Sequence, residues 1–358
     1  MQGKTLGFLV TKFSPSVYYG ENDCPDGLTP TTDEAFLLTQ TPAERLRLLK
    51  PENALEFEKK WKTDYTTGPN GEDICRNPRS FLNDDRHPVH LTVKGAVSHG
   101  MNLDGTDDGR ATARSCKHEK FRGPNGEPGI DNQLYRVMGC AKNWRGDPTN
   151  GSGMALKYNN YMKDGLHNYL IEIRGMKDPR NTEEVEVGIY STEDKSMLDG
   201  AREHLRNQTF AVTKNPRWRN VTRGKIVDGV LTTEVIDTMY LDWFFALNGP
   251  FGAVNEHEFR QVHFRLSLET DGTLKGVMGA YDSIEVQSAQ GRHGGKGVAT
   301  NGNRDCASEY KSMAVYADGV PDPVTGQCTH ISLSQDVEAV PAYIIHPEQQ
   351  STKVASAK

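Results

Sequence analysis

Apolar residues are scarce in this chain: they make up 35% of its 358 positions, and the mean hydropathy is −0.66. No apolar run approaches the ~20 residues needed to cross a bilayer, so no membrane span is expected. The opening MQGKTLGFLVTKF is too short in its apolar part for a signal peptide; if the protein is secreted, its leader has been removed, and a cytosolic origin stays open. A surplus of positive charge is also missing. The net charge is −6 with Lys and Arg scattered, which argues against nucleic acid or anionic membrane as a partner. No Walker loop, no GxGxxG opening a helix and no GxSxG elbow occurs, so nucleotide and α/β-hydrolase chemistry lack support. HExxH and CxxC are absent too, which removes the zinc-protease helix, zinc ribbons, thioredoxin-like centres and c-type haem attachment.

What is present is loop chemistry. The 35 Gly and 18 Pro point to many turns, and the length allows one large or two ordinary domains. The cysteines number six, Cys24, Cys75, Cys116, Cys140, Cys306 and Cys328. An even count without paired motifs fits disulfides formed in an oxidising compartment, and a secreted or periplasmic location is expected. Fifteen pairings are open. The sequential one is preferred, because each successive pair brackets a loop rich in Gly and Pro. A short loop closed this way contributes roughly 3 to 4 kcal/mol on the chain-entropy model.

Residues 101–140 hold the densest chemistry. Asp104, Asp107 and Asp108 alternate with Gly105, Thr106 and Gly109, and Gly129-Ile130-Asp131-Asn132-Gln133 adds a second acidic turn. Calcium takes six to eight oxygen ligands from carboxylates, amides, backbone carbonyls and water, so Asp104, Asp107, Asp108, Asp131 and Asn132 are the candidate Ca2+ ligands. The spacing is not that of an EF-hand. Asp, Asn and Gly also build exposed turns that bind nothing.

Along the chain, residues 1–85 read as an irregular segment followed by a helical cap. Thr41, Pro42 and Glu44 supply an N-cap, a first-turn proline and a capping-box acid for PAERLRLL, and PENALEFEKKWK begins a second helix after Pro51. Residues 86–287 alternate as strands, with Tyr169, Ile171 and Ile173 on one face and Val185, Val187 and Ile189 on another. Asp228-Gly229 and Asp271-Gly272 mark hairpins. Short strands between glycine turns predict a mainly β fold, an antiparallel β-sandwich of the jelly-roll or lectin type. Residues 288–358 read as a Gly-rich loop and a C-terminal extension packed on the sandwich. EYKSMAVYADG within it is ambiguous between helix and strand, and VEAVPAYIIHP is a closing strand.

At GIDNQ the chain resembles a group of uncharacterised secreted bacterial proteins, including lipoproteins of myxobacteria, that carry a DGVDN-like motif before a β-rich domain. The resemblance continues through DPRNTEEVEVGIYST, NPRWRNVTRGKIVDGVLTTE and RLSLETDGTLKGVMGAY. It implies a β-rich scaffold and attaches no activity. In related-looking calcium repeats the DGVDN segment lies in a run of aspartates, whereas here Gly129 and Ile130 precede Asp131.

Two functions compete. The first is a calcium-stabilised binding or structural protein, such as a glycan-binding module, adhesin or assembly subunit, with a glycan or another extracellular protein as partner. Trp144, beside Arg145 and Gly146, is its candidate ligand-binding aromatic; Trp218, Trp243, Phe244 and Phe245 are further candidates, with core packing the alternative for DWFFAL. The second is an enzyme acting on an extracellular polysaccharide through paired carboxylates on a sheet face, drawn from Glu172, Glu184 and Glu186 with Arg174, His263 and Arg265 nearby. Polar residues on the solvent side of an antiparallel sheet need no function. His257 with His263, and His87 with His90, are weak metal candidates, since isolated histidines are more often structural.

Overall fold

In the computed structural model, which describes residues 3–68, 70–149, 151–245, 253–291 and 304–347, strand formation begins at the fourth residue. The strands are β1 (Lys4–Pro15), β2 (Asn168–Met176), β3 (Thr182–Thr192), β4 (Gln208–Ala211), β5 (Arg219–Val227), β6 (Val230–Thr233), β7 (Ile236–Phe245), β8 (Ala253–Leu268), β9 (Leu274–Ser283), β10 (Gly319–Pro321) and β11 (Cys328–Ile345). Successive side chains on a strand point to opposite faces. This puts Tyr169, Ile171 and Ile173 of β2 and Val185, Val187 and Ile189 of β3 in one core.

Two strands change parity partway. In β1 the positions in the main core run Phe8, Val10, then Phe13, because the pairing with β11 shifts between Val10 and Lys12; Leu9 is buried in a separate cluster on the other face. In β8 they run Phe259, then Val262, Phe264 and Leu266, with Gln261 at φ 50° in the shift between Arg260 and His263. One extra residue in each strand is a bulge, which bends the strand and raises its twist. That is what closing a sheet requires.

The sheet does close. Its order is β1-β2-β3-β5-β6-β8-β9-β11, and β11 returns to pair with β1, Phe13 standing opposite Val337. Eight antiparallel strands form a barrel, with β4 parallel to β11, β7 on β8 and β10 on β11 outside that path. The expected sandwich is therefore corrected: a sandwich keeps edge strands, and here the first and last strands of the chain pair with each other. Reading the first part of residues 1–85 as irregular hid the strand that seals the sheet. The strands run from Lys4 to Ile345, so the barrel draws on both termini as well as on residues 86–287.

Eight strands enclose just enough room for side chains to fill. The helices add to that same core: α4 (Gln133–Met138) gives Leu134, Val137 and Met138, and α6 (Gly153–Lys163) gives Met154, Tyr158, Tyr161 and Met162. The N-terminal helices α1 (Thr32–Leu38), α2 (Pro42–Leu48) and α3 (Ala54–Lys59) bury their own cluster of Phe36, Leu48 and Tyr65. Thr41 accepts the Glu44 N–H at the start of α2, as its capping sequence predicts. Between α4 and α6 lies the single-turn α5 (Lys142–Arg145); α7 (Ile284–Gly291) and α8 (Cys306–Tyr316) follow β9. The ambiguous EYKSMAVY is thus the body of α8. The Gly-rich loop expected at the start of residues 288–358 begins inside α7, and residues 292–303 lie outside the described residues. Asp228 and Gly229, both at positive φ, make the two-residue turn from β5 to β6.

All six cysteines are bonded, but not sequentially. The pairs are Cys24–Cys140, Cys75–Cys306 and Cys116–Cys328, separated by 116, 231 and 212 positions. Local loop closure was the wrong guide, because barrel closure brings distant segments together. Cys116 donates its backbone N–H to Asp318 just before β10, which pairs with the start of β11 at Cys328. Closing loops this long removes about 5 kcal/mol of chain entropy per bridge on the same model. Disulfides persist in oxidising compartments, and three of them point to an extracellular or otherwise oxidising environment. Among the described residues, no helix is long and apolar enough to cross a membrane.

Candidate functional site

The two acidic turns of residues 101–131 meet. Gly129 sits at φ 74°, and a Cβ there would come within 2.6 Å of the Thr106 carbonyl and 2.8 Å of Asp107 Oδ1; only glycine allows this approach. Asp131 extends the contact, since its N–H donates to Met101 O and its Oδ2 accepts the Leu103 N–H at 2.7 Å.

Of the five candidate calcium ligands, only Asp104 and Asp131 point inward together. Asp104 Oδ1 accepts the Thr106 N–H at 2.8 Å and Oδ2 accepts the Ser115 hydroxyl at 2.8 Å. The ammonium of Lys120 lies between the two carboxylates, 2.7 Å from Asp104 Oδ1 and in close contact with Asp131 Oδ1. Asp107 and Asp108 are exposed, where Asp107 accepts from Asn102 and Asp108 from the Arg110 N–H. Asn132 turns away to the N-cap of α4: its Oδ1 accepts the Tyr135 N–H and its Nδ2 donates to Ser98 Oγ and His99 O.

Sequence reasoning missed three members of the cluster. His118 Nε2 stands 2.6 Å from Asp131 Oδ1 and 3.5 Å from Asp318 Oδ2, and its Nδ1 is 2.7 Å from the Cys116 carbonyl. A carbonyl only accepts, so Nδ1 carries a proton and Nε2 is the nitrogen that faces the carboxylates. Asp318 Oδ1 accepts the Ser332 N–H at 2.6 Å, while Oδ2 is buried and accepts no hydrogen bond. His118 and Lys120 flank Glu119 in SCKHEK, an alternation that turns both inward; Asp318 carries no comparable signal.

The cluster is nearly dry. The side chains of Asp104, Asp131 and Asp318 are 0% exposed, that of Lys120 5% and that of His118 6%. Burial pushes the Asp318 carboxyl up to about 7; His118 opposes that rise and the Asp131 charge adds to it. For His118 burial is the largest influence and acts downward. The bond to Asp131, the Asp318 charge and the Cys116 carbonyl together outweigh it and raise the imidazole. Asp104 is lowered overall, because Lys120, Thr106 and Ser115 overcome its burial. Tyr281 packs beside the cluster with its hydroxyl unpartnered. Burial raises its phenol, and the charges of Asp318, Asp131 and Asp104 raise it further.

His118 also reaches a cleft of about 370 Å³, lined among others by Lys94, Lys117, Glu119, Arg136 and Tyr316. Lys94 and Lys117 are exposed. Arg136 is buried, stacked 4.0 Å above the Phe121 ring and bonded through Nη1 to Val93 O. Glu119 Oε2 lies 3.8 Å from Arg136. Three cations against one acid leave this cleft positive on a chain of net charge −6.

The remaining candidates scatter. Trp144 is 4% exposed and belongs to the core, so its reading as a surface aromatic is corrected: α5 turns it inward against the helices. Trp243 is also core. Trp218 is half-buried with Nε1 on Glu256, Phe244 packs on Tyr161, and the Phe245 side chain lies outside the described residues. Arg174 sits between Glu172 and Glu186, at 3.3 and 2.9 Å, while Glu184 pairs with Arg223. The sheet-face carboxylates are thus each engaged by an arginine. The bulge at Gln261 separates the two histidines of β8: His257 turns to Asp282 in the core, and His263 follows the shift in register. His87 bonds Asp305, and His90 is buried beside α8. No family model, curated protein or solved structure matches the chain.

Proposed function

We propose that this is a secreted or periplasmic binding protein whose cleft takes an acidic glycan. The observation that carries the reading is the convergence of Lys94, Lys117 and Arg136 on one concave surface. Neither lysine ammonium pairs with a carboxylate among the described residues. A concave site with a few convergent polar groups is the default place for a ligand; the exposed Lys94 and Lys117 ammonium groups are point charges for a carboxylate, and buried Arg136 adds its charge from the cleft wall. Tyr316, half-buried on the cleft wall, offers an aromatic face for a sugar ring. The filled barrel and the arginine-paired sheet-face carboxylates favour binding over hydrolysis, which needs two acids a few ångströms apart across the bond to be cleaved.

The test is isothermal titration of uronate-containing oligosaccharides against neutral oligosaccharides of the same length. Acidic ligands bind, their affinity falls with added salt, and Lys94→Ala with Lys117→Ala weakens them about tenfold or more. Equal binding of neutral ligands, or no effect of the double substitution, refutes the assignment.

A further inference from the structure

The buried carboxylates of the acidic cluster converge on one lysine ammonium and one imidazole nitrogen. We propose that Asp104, His118, Asp131 and Asp318 form a binding site for a divalent transition metal of the zinc class, which takes the place held here by the Lys120 ammonium.

Three observations support it. Asp104, His118 and Asp131 each offer a ligand atom within 4.8 Å of the other two. Asp318, 0% exposed, points an oxygen with no hydrogen-bond partner to within 3.5 Å of His118 Nε2; an orphaned buried carboxylate oxygen calls for a cation. His118 is oriented as a metal-bound histidine is, with Nδ1–H on the Cys116 carbonyl and Nε2 facing the other donors.

The donor set decides the class. One imidazole nitrogen with three carboxylates suits zinc or another first-row dication, whereas calcium sites are built from oxygen alone. Lys120 has somewhere to go. It lines a second, open cleft of about 410 Å³ together with Asp107 and Asp108, so its flexible stem can turn the ammonium outward and keep acidic neighbours. These two exposed aspartates thereby hold the displaced lysine and do not bind the metal.

The experiment uses the full chain, disulfides intact, stripped with EDTA and dialysed. Zinc chloride is titrated calorimetrically, and the visible absorption of the cobalt-loaded protein is recorded as an independent readout. One zinc binds per chain with a micromolar or tighter Kd, and cobalt gives the absorption of a site containing nitrogen. His118→Gln and Asp318→Asn each weaken zinc at least tenfold. Lys120→Gln, which removes the competing charge and keeps a hydrogen-bond donor, tightens it at least tenfold. Near-ultraviolet circular dichroism confirms the fold of each variant, and Ser115→Ala serves if Lys120→Gln does not fold, with a loss of affinity expected because Asp104 loses its support. Zinc binding that is absent, unchanged in His118→Gln and Asp318→Asn, or weaker than calcium binding overturns the assignment.

Discussion

Replacing Lys120 with Met tests how far the buried charges stabilise the barrel. The substitution keeps most of the aliphatic stem and deletes the ammonium that touches Asp104 and Asp131, both fully buried. Removing one partner from a buried ionic contact leaves an uncompensated charge and typically costs about 3 to 5 kcal/mol. Here the abandoned carboxylates keep other donors: Thr106 and Ser115 on Asp104, His118 and the Leu103 N–H on Asp131. The loss should therefore fall near the lower end, about 3 kcal/mol, which lowers Tm by roughly 4 °C for a chain of 358 residues. The assay is urea and thermal unfolding at pH 7 in EDTA with the disulfides intact. Adding Asp104→Asn to the Met variant removes one stranded charge and should recover at least about 1 kcal/mol, a coupling of the size that contacting residues show. A loss below about 1 kcal/mol, or a double variant no better than the single, would refute the reasoning.

Asp318 has a folded-state pKa of about 7, above the ordinary carboxylate value. Its contribution is therefore fully present below the unfolded pKa and is lost as pH rises from about 4 to about 7. Asp318→Asn removes that loss, so in EDTA the Asn variant should gain on the parent by up to roughly 4 kcal/mol between pH 4 and pH 8; parallel stability curves across this range would sink the assignment. A non-reducing peptide map should recover only Cys24 with Cys140, Cys75 with Cys306 and Cys116 with Cys328; any peptide joining Cys116 to Cys140 would contradict the fold.

One residue connects the proposals. His118 lines the cleft and closes the cluster, so a cation bound beneath it fixes the cleft wall through the backbone between Cys116 and Lys120. Gly319 holds the other side. A Cβ there would fall 2.1 Å from a carbon of the Tyr281 ring, so glycine lets that ring pack directly under Asp318.

The local chemistry was legible in the chain by itself. Alternation in residues 169–173 and 185–189 specifies strands whatever lies around them, and Thr41 with Pro42 specifies a helix start, because these signals act over a few residues. The two acidic turns were also readable, since Asp and Gly supply turn geometry and oxygens wherever they occur. What those oxygens face was not. His118 and Lys120 needed the loop to fold over, and Asp318 lies some two hundred positions from Asp104 and Asp131; only the pairing of β10 with β11 and of Cys116 with Cys328 brings it in. The same holds for the barrel. Whether a set of strands ends as open edges or as a closed ring depends on bulges such as those near Thr11 and Gln261 and on β1 meeting β11. Those contacts link the two ends of the chain, and no local pattern of residues encodes them.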